Sequence, residues 1–212
     1  MKKLLVTGAS GFLGWNICRM LKADRELAGI YLNHSIIIPG VTTLQTDLAD
    51  YRQLKELFIL VRPDAVIHCA AISNPNFCQL NWEQSYLVNV EASINIAGLC
   101  SDRSIACLFT SSDLVFDGLK APYREQDPVC PVNVYGEHKV LTEQGMIARY
   151  PEVVVCRMPL MFGDAGPVAS SFIQPTWALK KADPFLLRRI DPRGAQYFSF
   201  FLFAFGLVSS GA

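Results

Sequence analysis

The sequence predicts an α/β protein with a doubly wound parallel sheet, and three observations carry that expectation. Short apolar runs alternate with stretches of helical spacing, the pattern of βαβ units joined by right-handed crossovers. The first run ends in a turn with glycines three apart, Thr7-Gly-Ala-Ser-Gly-Phe-Leu-Gly14. After the fifth run comes a helical stretch with Tyr135 and Lys139 four residues apart, in Asn133-Val-Tyr-Gly-Glu-His-Lys139.

Residues 3–7 read as a buried parallel strand feeding a helix over 12–22, with Ile17, Leu21 and Trp15 or Cys18 turned inward. Strands two and three fit 28–33 and 41–45. Tyr51, Leu54, Leu57, Phe58 and Val61 then recur at helical spacing until Arg62-Pro63-Asp64 stops the helix. Residues 65–69 make strand four, followed by the small-residue turn Ala70-Ala71-Ile72-Ser73. A long helix spans 82–100 with Tyr86, Val90, Ile94 and Ala97 on one face. Strand five covers 105–110. A Pro/Gly/Asp-rich loop follows, then a helix over 134–149 and strand six over 153–156.

The domain expectation is a nucleotide-binding unit over 1–163 and a short, incomplete C-terminal region over 164–212. There the rhythm weakens: 172–181 reads as a helix, and 197–208 is a twelve-residue, mostly aromatic run. That run is too short to cross a bilayer as a helix, which takes about 20 residues. It reads as a buried strand, an interfacial anchor or sequence foreign to the fold.

The chain has 212 residues, formal net charge zero and a pI near 6.8. It therefore lacks the basic footprint of a nucleic-acid or anionic-membrane binder. Its seven cysteines are scattered without a Cys-x-x-Cys pair and sit largely in apolar runs, so they read as reduced, buried thiols of a cytoplasmic protein. Three widely spaced histidines (His34, His68, His138) argue against a zinc site. Lys2-Lys3 followed by Leu-Leu-Val imitates a signal peptide, but the apolar run stops at Thr7-Gly8, and export is not expected.

Glycines at 8, 11 and 14 permit a tight turn and close backbone approach to a pyrophosphate. The helix beginning at Phe12, Leu13 and Gly14 then offers free N–H groups and its positive dipole end to the anion, and Ser10 a hydroxyl. The sheet is on this reading Rossmann-type. An acid after strand two would accept from an adenosine ribose; the chain has Asn33-His34-Ser35 there, which leans towards NADP(H) over NAD(H). Asp47, with Leu48 beside it, either accepts from the adenine amino group or is an ordinary turn or N-cap aspartate.

Residues i and i+4 share a helix face, so Tyr135 and Lys139 project together. An ammonium beside a phenol favours the phenolate, so Lys139 is expected to lower the Tyr135 pKa. Lys139 can also hold the ribose hydroxyls of the cofactor. Thr110-Ser111-Ser112-Asp113, at the carboxyl end of strand five where ligands bind open sheets, supplies candidates for a third polar group. His68 and Cys69 are expected to pack rather than react.

Together these motifs resemble the extended short-chain dehydrogenase/reductase superfamily. Ser111-Ser-Asp-Leu-Val-Phe-Asp-Gly118, Pro122-Tyr-Arg-Glu-Gln-Asp127 and Pro131-Val-Asn-Val-Tyr-Gly136 resemble its dTDP-4-dehydrorhamnose reductase branch more narrowly, over about residues 3–163. The resemblance implies Tyr135 as proton donor, Lys139 as its partner and ribose anchor, and Ser112 as third member, where the branch commonly has threonine. It also implies that the turn of Ala70, Ala71 and Ser73 passes under the adenine ribose and that Asn89 lies near the site. Arg157-Met-Pro159 would approach the nicotinamide, with Arg157 and Pro159 as contacts. The implied reaction is hydride delivery to the C4 keto group of a nucleotide-linked deoxysugar, with a homodimer as an expected assembly. Alternatives are a nucleotide-sugar epimerase or dehydratase, for which no acid/base pair stands out, or a non-catalytic cofactor-binding regulatory subunit or inactive fragment. By the same resemblance relatives run to about 280–300 residues, and the segment from Leu186 onward does not match them. A truncated product or a frame shift near Pro184 is the corresponding expectation.

Overall fold

The computed structural model describes residues 2–161, 164 and 166–169; the expected helix at 172–181 and the aromatic run at 197–208 lie outside them. The strands are β1 (Lys3–Thr7), β2 (Glu26–Tyr31), β3 (Thr42–Gln45), β4 (Ala65–His68), β5 (Ala106–Ser112) and β6 (Val154–Met158). They form one parallel sheet in the order β3-β2-β1-β4-β5-β6. The helices are α1 (Phe12–Leu21), α2 (Tyr51–Val61), α3 (Pro75–Leu80), α4 (Trp82–Tyr86), α5 (Ala92–Ser101) and α6 (Val134–Arg149). The α/β expectation is met. The chain order reverses between β1 and β4, the switch point at which such sheets bind ligands.

Strand side chains alternate between faces, and both faces here are apolar. Leu4 and Val6 join Ile17, Leu21, Ile67 and Leu108 beneath α1. Leu5 goes the other way, with Leu54, Phe58, Val66, Ile96, Phe109 and Met146, beneath α2, α5 and α6. Burial on both faces is why these strands read as continuous apolar runs rather than alternating ones.

Several boundaries differ from the sequence reading. β2 starts at Glu26, where the Lys3–Glu26 ion pair (2.8 Å) extends its pairing with β1, and ends at Tyr31 rather than 33. Asn33 and His34 are therefore in the following bend. β5 and β6 each start one residue later and end two residues later than expected, because Ser111 and Ser112 pair with Arg157 and Met158. The short helix α3 was not expected, although Asn74-Pro75 is a start signal: Asn74 caps it by accepting from the Phe77 N–H at 3.0 Å. The expected 82–100 helix is continuous but contains a π-helical turn, Leu87–Glu91, in which the Ala92 N–H reaches back to the Leu87 carbonyl. All seven cysteines are free thiols, and only Cys130 is exposed. No helix among the described residues is long and apolar enough to cross a membrane.

Phe58 is among the largest side chains that are almost wholly buried, wedged between α2 and the sheet. Phe58→Ala should destabilise the chain by about 3–5 kcal/mol in urea unfolding. A loss under about 1 kcal/mol would mean that α2 is not packed as described.

Candidate active site

The end of β1 and the start of α1 are fixed by backbone crowding. Gly8 has φ +69°, and a Cβ there would stand 2.8 Å from the Ala70 nitrogen and 2.9 Å from its Cα. A Cβ on Gly14 would collide with the Gly8 carbonyl. These glycines let three backbone segments meet where only hydrogens fit. Helix α1 also begins directly from the glycine turn. Asp50 caps α2 and Asn133 caps α6, but no side chain caps α1 and its first turn holds no acid. Its leading N–H groups are left facing a cleft of about 440 Å³. An uncapped helix start beside a crevice that a Cβ would fill fits a dinucleotide pyrophosphate.

The cleft brings together most of the expected cofactor residues. Gly8, Ser10, Gly11, Phe12, Leu13 and Gly14 form one end. Asn33, His34, Asp47 and Leu48 line the side below β2 and β3, and Ala70, Ala71 and Ser73 the side beyond β4. Tyr135 and Lys139 complete the wall from α6. Asp47 accepts from the Ala49 N–H (2.9 Å), so the turn-aspartate role is realised at the cleft edge. The N-cap of α2 is Asp50 instead. Leu32, Thr46, Gln84, Val88, Met158 and Met161 also line the cleft, and the sequence reading missed them. Thr46 and Leu32 adjoin residues that were found; Gln84 comes from α4 and Val88 from the π-helical turn after it, and neither left a signal.

Four expected residues do not line it. Ser112 Oγ donates to Asp113 Oδ1 (3.1 Å) and accepts from the Leu114 N–H (3.2 Å), capping a 3-10 turn over Asp113–Val115. Its neighbours Thr110 and Ser111 are on the cleft wall. Asn89 is buried and grips the 70–73 turn, accepting from the Ile72 N–H (2.8 Å) and donating to its carbonyl (3.0 Å). It shapes the cleft from behind. Arg157 pairs with Glu143 (2.7 Å) and donates to the Glu125 carbonyl (3.0 Å), an engagement that holds it to the protein. Pro159 is replaced on the wall by Met158 and Met161.

The Tyr135–Lys139 pair differs electrostatically from expectation. Lys139 is buried and its Nζ donates to the Thr110 carbonyl (2.8 Å), 4.5 Å above the Phe109 ring and 5.5 Å from the Tyr135 ring centroid. The Tyr135 pKa is raised, not lowered: burial dominates, and Cys78 and Asp113 add to it. The ammonium is turned to a carbonyl and does not bond the phenol, so desolvation wins. Burial brings Lys139 down to about 8, against the opposing pull of Cys69, Glu143 and Cys78.

Below the cleft floor His68 is fully buried, as the packing expectation had it. Its Nδ1 lies 2.7 Å from Thr7 Oγ1 and its Nε2 2.8 Å from Ser93 Oγ. Thr7 Oγ1 accepts from the Cys69 and Ala70 N–H groups, both at 3.1 Å, and so donates to Nδ1. Ser93 Oγ donates to the Asn89 carbonyl (2.7 Å), which leaves the His68 Nε2–H as the donor to Ser93.

A switch-point cleft with a glycine turn at one end and a Tyr/Lys helix on its wall places the chain among Rossmann-type proteins. The model described as the RmlD substrate binding domain matches residues 1–182, and the chain belongs to that family. It is 31% identical over 172 residues to methionine adenosyltransferase 2 subunit beta of Xenopus laevis, covering 81% of this chain and 51% of that protein. It is 30% identical over 174 residues to the probable low-salt glycan biosynthesis reductase Agl14 of Haloferax volcanii, covering 81% and 58%. Among solved structures, a hypothetical dTDP-4-dehydrorhamnose reductase from Sulfolobus tokodaii superposes with a TM-score of 0.70 at 33% identity, covering 78% of this chain and 58% of that one. The chain thus spans little more than half the length of the relatives it matches.

Burial pushes the His68 pKa from the ordinary 6.5 down to about 3, with Lys139 adding to the shift. Between those values the unfolded chain binds a proton that the folded chain refuses. Stability should therefore rise with pH across that window and be fully present above 6.5. His68 alone should contribute a slope approaching 1.4 kcal/mol per pH unit. His138, also pushed down by burial, adds to the same limb. Urea titrations of wild type and His68→Gln should show a flatter acid limb in the variant; parallel limbs would contradict a neutral buried His68.

Proposed function

We propose that the chain is the cofactor-binding and proton-donating part of an NADP(H)-favouring reductase acting on a nucleotide-linked 4-keto-6-deoxysugar. One observation carries this reading: the Tyr135–Lys139 pair stands on the wall of the same cleft into which the uncapped start of α1 opens. Gly8, Ser10, Gly11 and the first turn of α1 would hold the pyrophosphate, Asp47 and Leu48 the adenine, and Lys139 the ribose of the nicotinamide half. When bound, the nicotinamide supplies hydride to the substrate's C4 carbon.

The raised pKa of Tyr135 suits this direction of reaction. A phenol held protonated at neutral pH is ready to give its proton to the oxygen that becomes the C4 hydroxyl. Lys139, brought down to about 8, is close enough to ambient pH to pass a proton on towards the phenolate left behind. Likeness to Agl14 supports a sugar reductase. A second reading has its own support, likeness to methionine adenosyltransferase 2 subunit beta: a chain that binds the dinucleotide and serves a partner enzyme without turnover.

Purified chain mixed with NADPH and a dTDP-4-keto-6-deoxysugar should consume the reductant's absorbance. Tyr135→Phe should cut that rate at least about a hundredfold, the usual scale of one general acid, while NADPH binding changes less than about threefold. Tight NADPH binding with no turnover in the wild type selects the second reading instead. No NADPH binding sinks both.

Cofactor preference has its own test. Asn33 and His34 at the cleft edge can hydrogen-bond a 2′-phosphate without repelling it, and no carboxylate follows β2 to favour a bare ribose. Fluorescence titration should find NADPH bound more tightly than NADH. The reverse order would refute the lean to NADP(H).

A further inference from the structure

Glu143 is one helical turn beyond Lys139 on α6 and is buried, with 6% of its surface exposed. It holds both strands that end at the reacting pair. Its Oε1 accepts from Ser111 Oγ (2.5 Å) on β5. Its two oxygens also accept from Arg157 of β6, Nε to Oε1 at 3.0 Å and Nη2 to Oε2 at 2.7 Å. Residue 111 pairs with 157 across the sheet, so one carboxylate pins a matched pair of strand positions. Directly before Ser111, the Thr110 carbonyl holds Lys139 Nζ. Helix α6 is therefore fastened to the end of β5 at two successive residues, by Lys139 and by Glu143.

Arg157 extends the grip into the β5–α6 loop. Its guanidinium donates to the Glu125 carbonyl and lies 5.1 Å from the Phe116 ring centroid. Phe116 stacks on Tyr123 at 4.2 Å and 7°, and the Tyr123 hydroxyl bonds Asp117. The loop that delivers the chain from Ser112 to Tyr135 is thus folded against Arg157.

We propose that Glu143 and Arg157 act as positioning residues, holding the end of β5 and the β5–α6 loop so that Tyr135 and Lys139 face the cleft in register. The inference rests on taking Tyr135 and Lys139 as the reacting pair. The groups bearing on Lys139 are His68 and Cys69 from the end of β4, Cys78 from α3, and Tyr135 and Glu143 from its own helix. Glu143 is the one carboxylate among them, and it raises the Lys139 pKa against burial. Removing its charge while keeping its shape should lower that value further. General loosening of the fold would do the opposite, moving Lys139 towards the ordinary lysine value of about 10.4.

The test uses the whole chain with isotope-labelled lysine and follows the Lys139 titration by NMR, which needs no turnover. In the wild type the midpoint should be near 8. Glu143→Gln should bring it down by roughly half a pH unit, and in the reductase assay the alkaline limb of the rate should move down with it. An unchanged midpoint in a folded E143Q overturns the proposal.

Should E143Q fail to fold, the double variant Glu143→Met with Arg157→Met carries the test, because apolar side chains replace the pair without stranding a charge. With the grip on β5 gone, Lys139 should drift up by more than half a pH unit from the wild-type midpoint. A double variant that folds and titrates like wild type overturns the proposal. Wild-type protein that binds no NADPH would instead defeat the functional reading, whatever the Lys139 titration shows.

Discussion

The hydroxyl of Thr7 is the tie on which the cleft depends. It sits on the last residue of β1, accepts the first two N–H groups beyond β4, and donates to His68. At that point the chain leaves β1 and β4 towards opposite faces of the sheet, so two backbones part and leave donors that no strand can satisfy. One buried oxygen satisfies both. The proton order continues through His68 and Ser93 to the Asn89 carbonyl, with each atom's role set by its neighbour. The same turn, which Ala70 begins, is the one that Gly8 approaches too closely for a Cβ. Asn89 then clasps the same turn one residue after Ala71.

The site's electrostatics follow from that burial. His68, Lys139 and Tyr135 all have shifted pKa values, and burial is the first cause in each. The sequence argument took Lys139 to act on Tyr135 as one charge acts on another in a polar medium. In the structure the ammonium is spent on a backbone carbonyl, and the medium sets the direction. The outcome is a neutral acid beside an amine of lowered basicity, a pairing suited to giving a proton rather than taking one.

Much of this was legible in the sequence, for identifiable reasons. The glycines at 8, 11 and 14 and the Tyr135–Lys139 spacing are local patterns, and local geometry suffices to interpret them. β1, α2 and α6 were found with nearly their observed limits because each has a sharp boundary: Gly8, Arg62-Pro63 and the Asn133 cap. Other features had no local signature. Thr7, Ser93 and Glu143 look like ordinary strand and helix residues until the sheet brings partners from 61, 25 and 32 positions away. Arg157 was assigned to the cofactor on resemblance, and only the tertiary structure shows what it grips. Helix α3 was missed although Asn74-Pro75 announces it, because six residues are too few for a helical period to show.

The π-helical turn at Leu87–Glu91 has a consequence for how this architecture can change. One surplus residue there turns the Asn89 carbonyl out of the ordinary ladder, and it accepts from both Ser93 and Thr142 of α6. The same residue's amide faces the 70–73 turn. Residue 89 thereby joins elements that a uniform coil would present on different sides. Deleting a single position in this stretch would keep a helix of nearly the same length yet rotate everything after it by about 100°, since a turn takes 3.6 residues. Insertions and deletions are thus penalised here by rotational phase rather than by lost contacts. The segment should tolerate exchanged letters far better than a changed count.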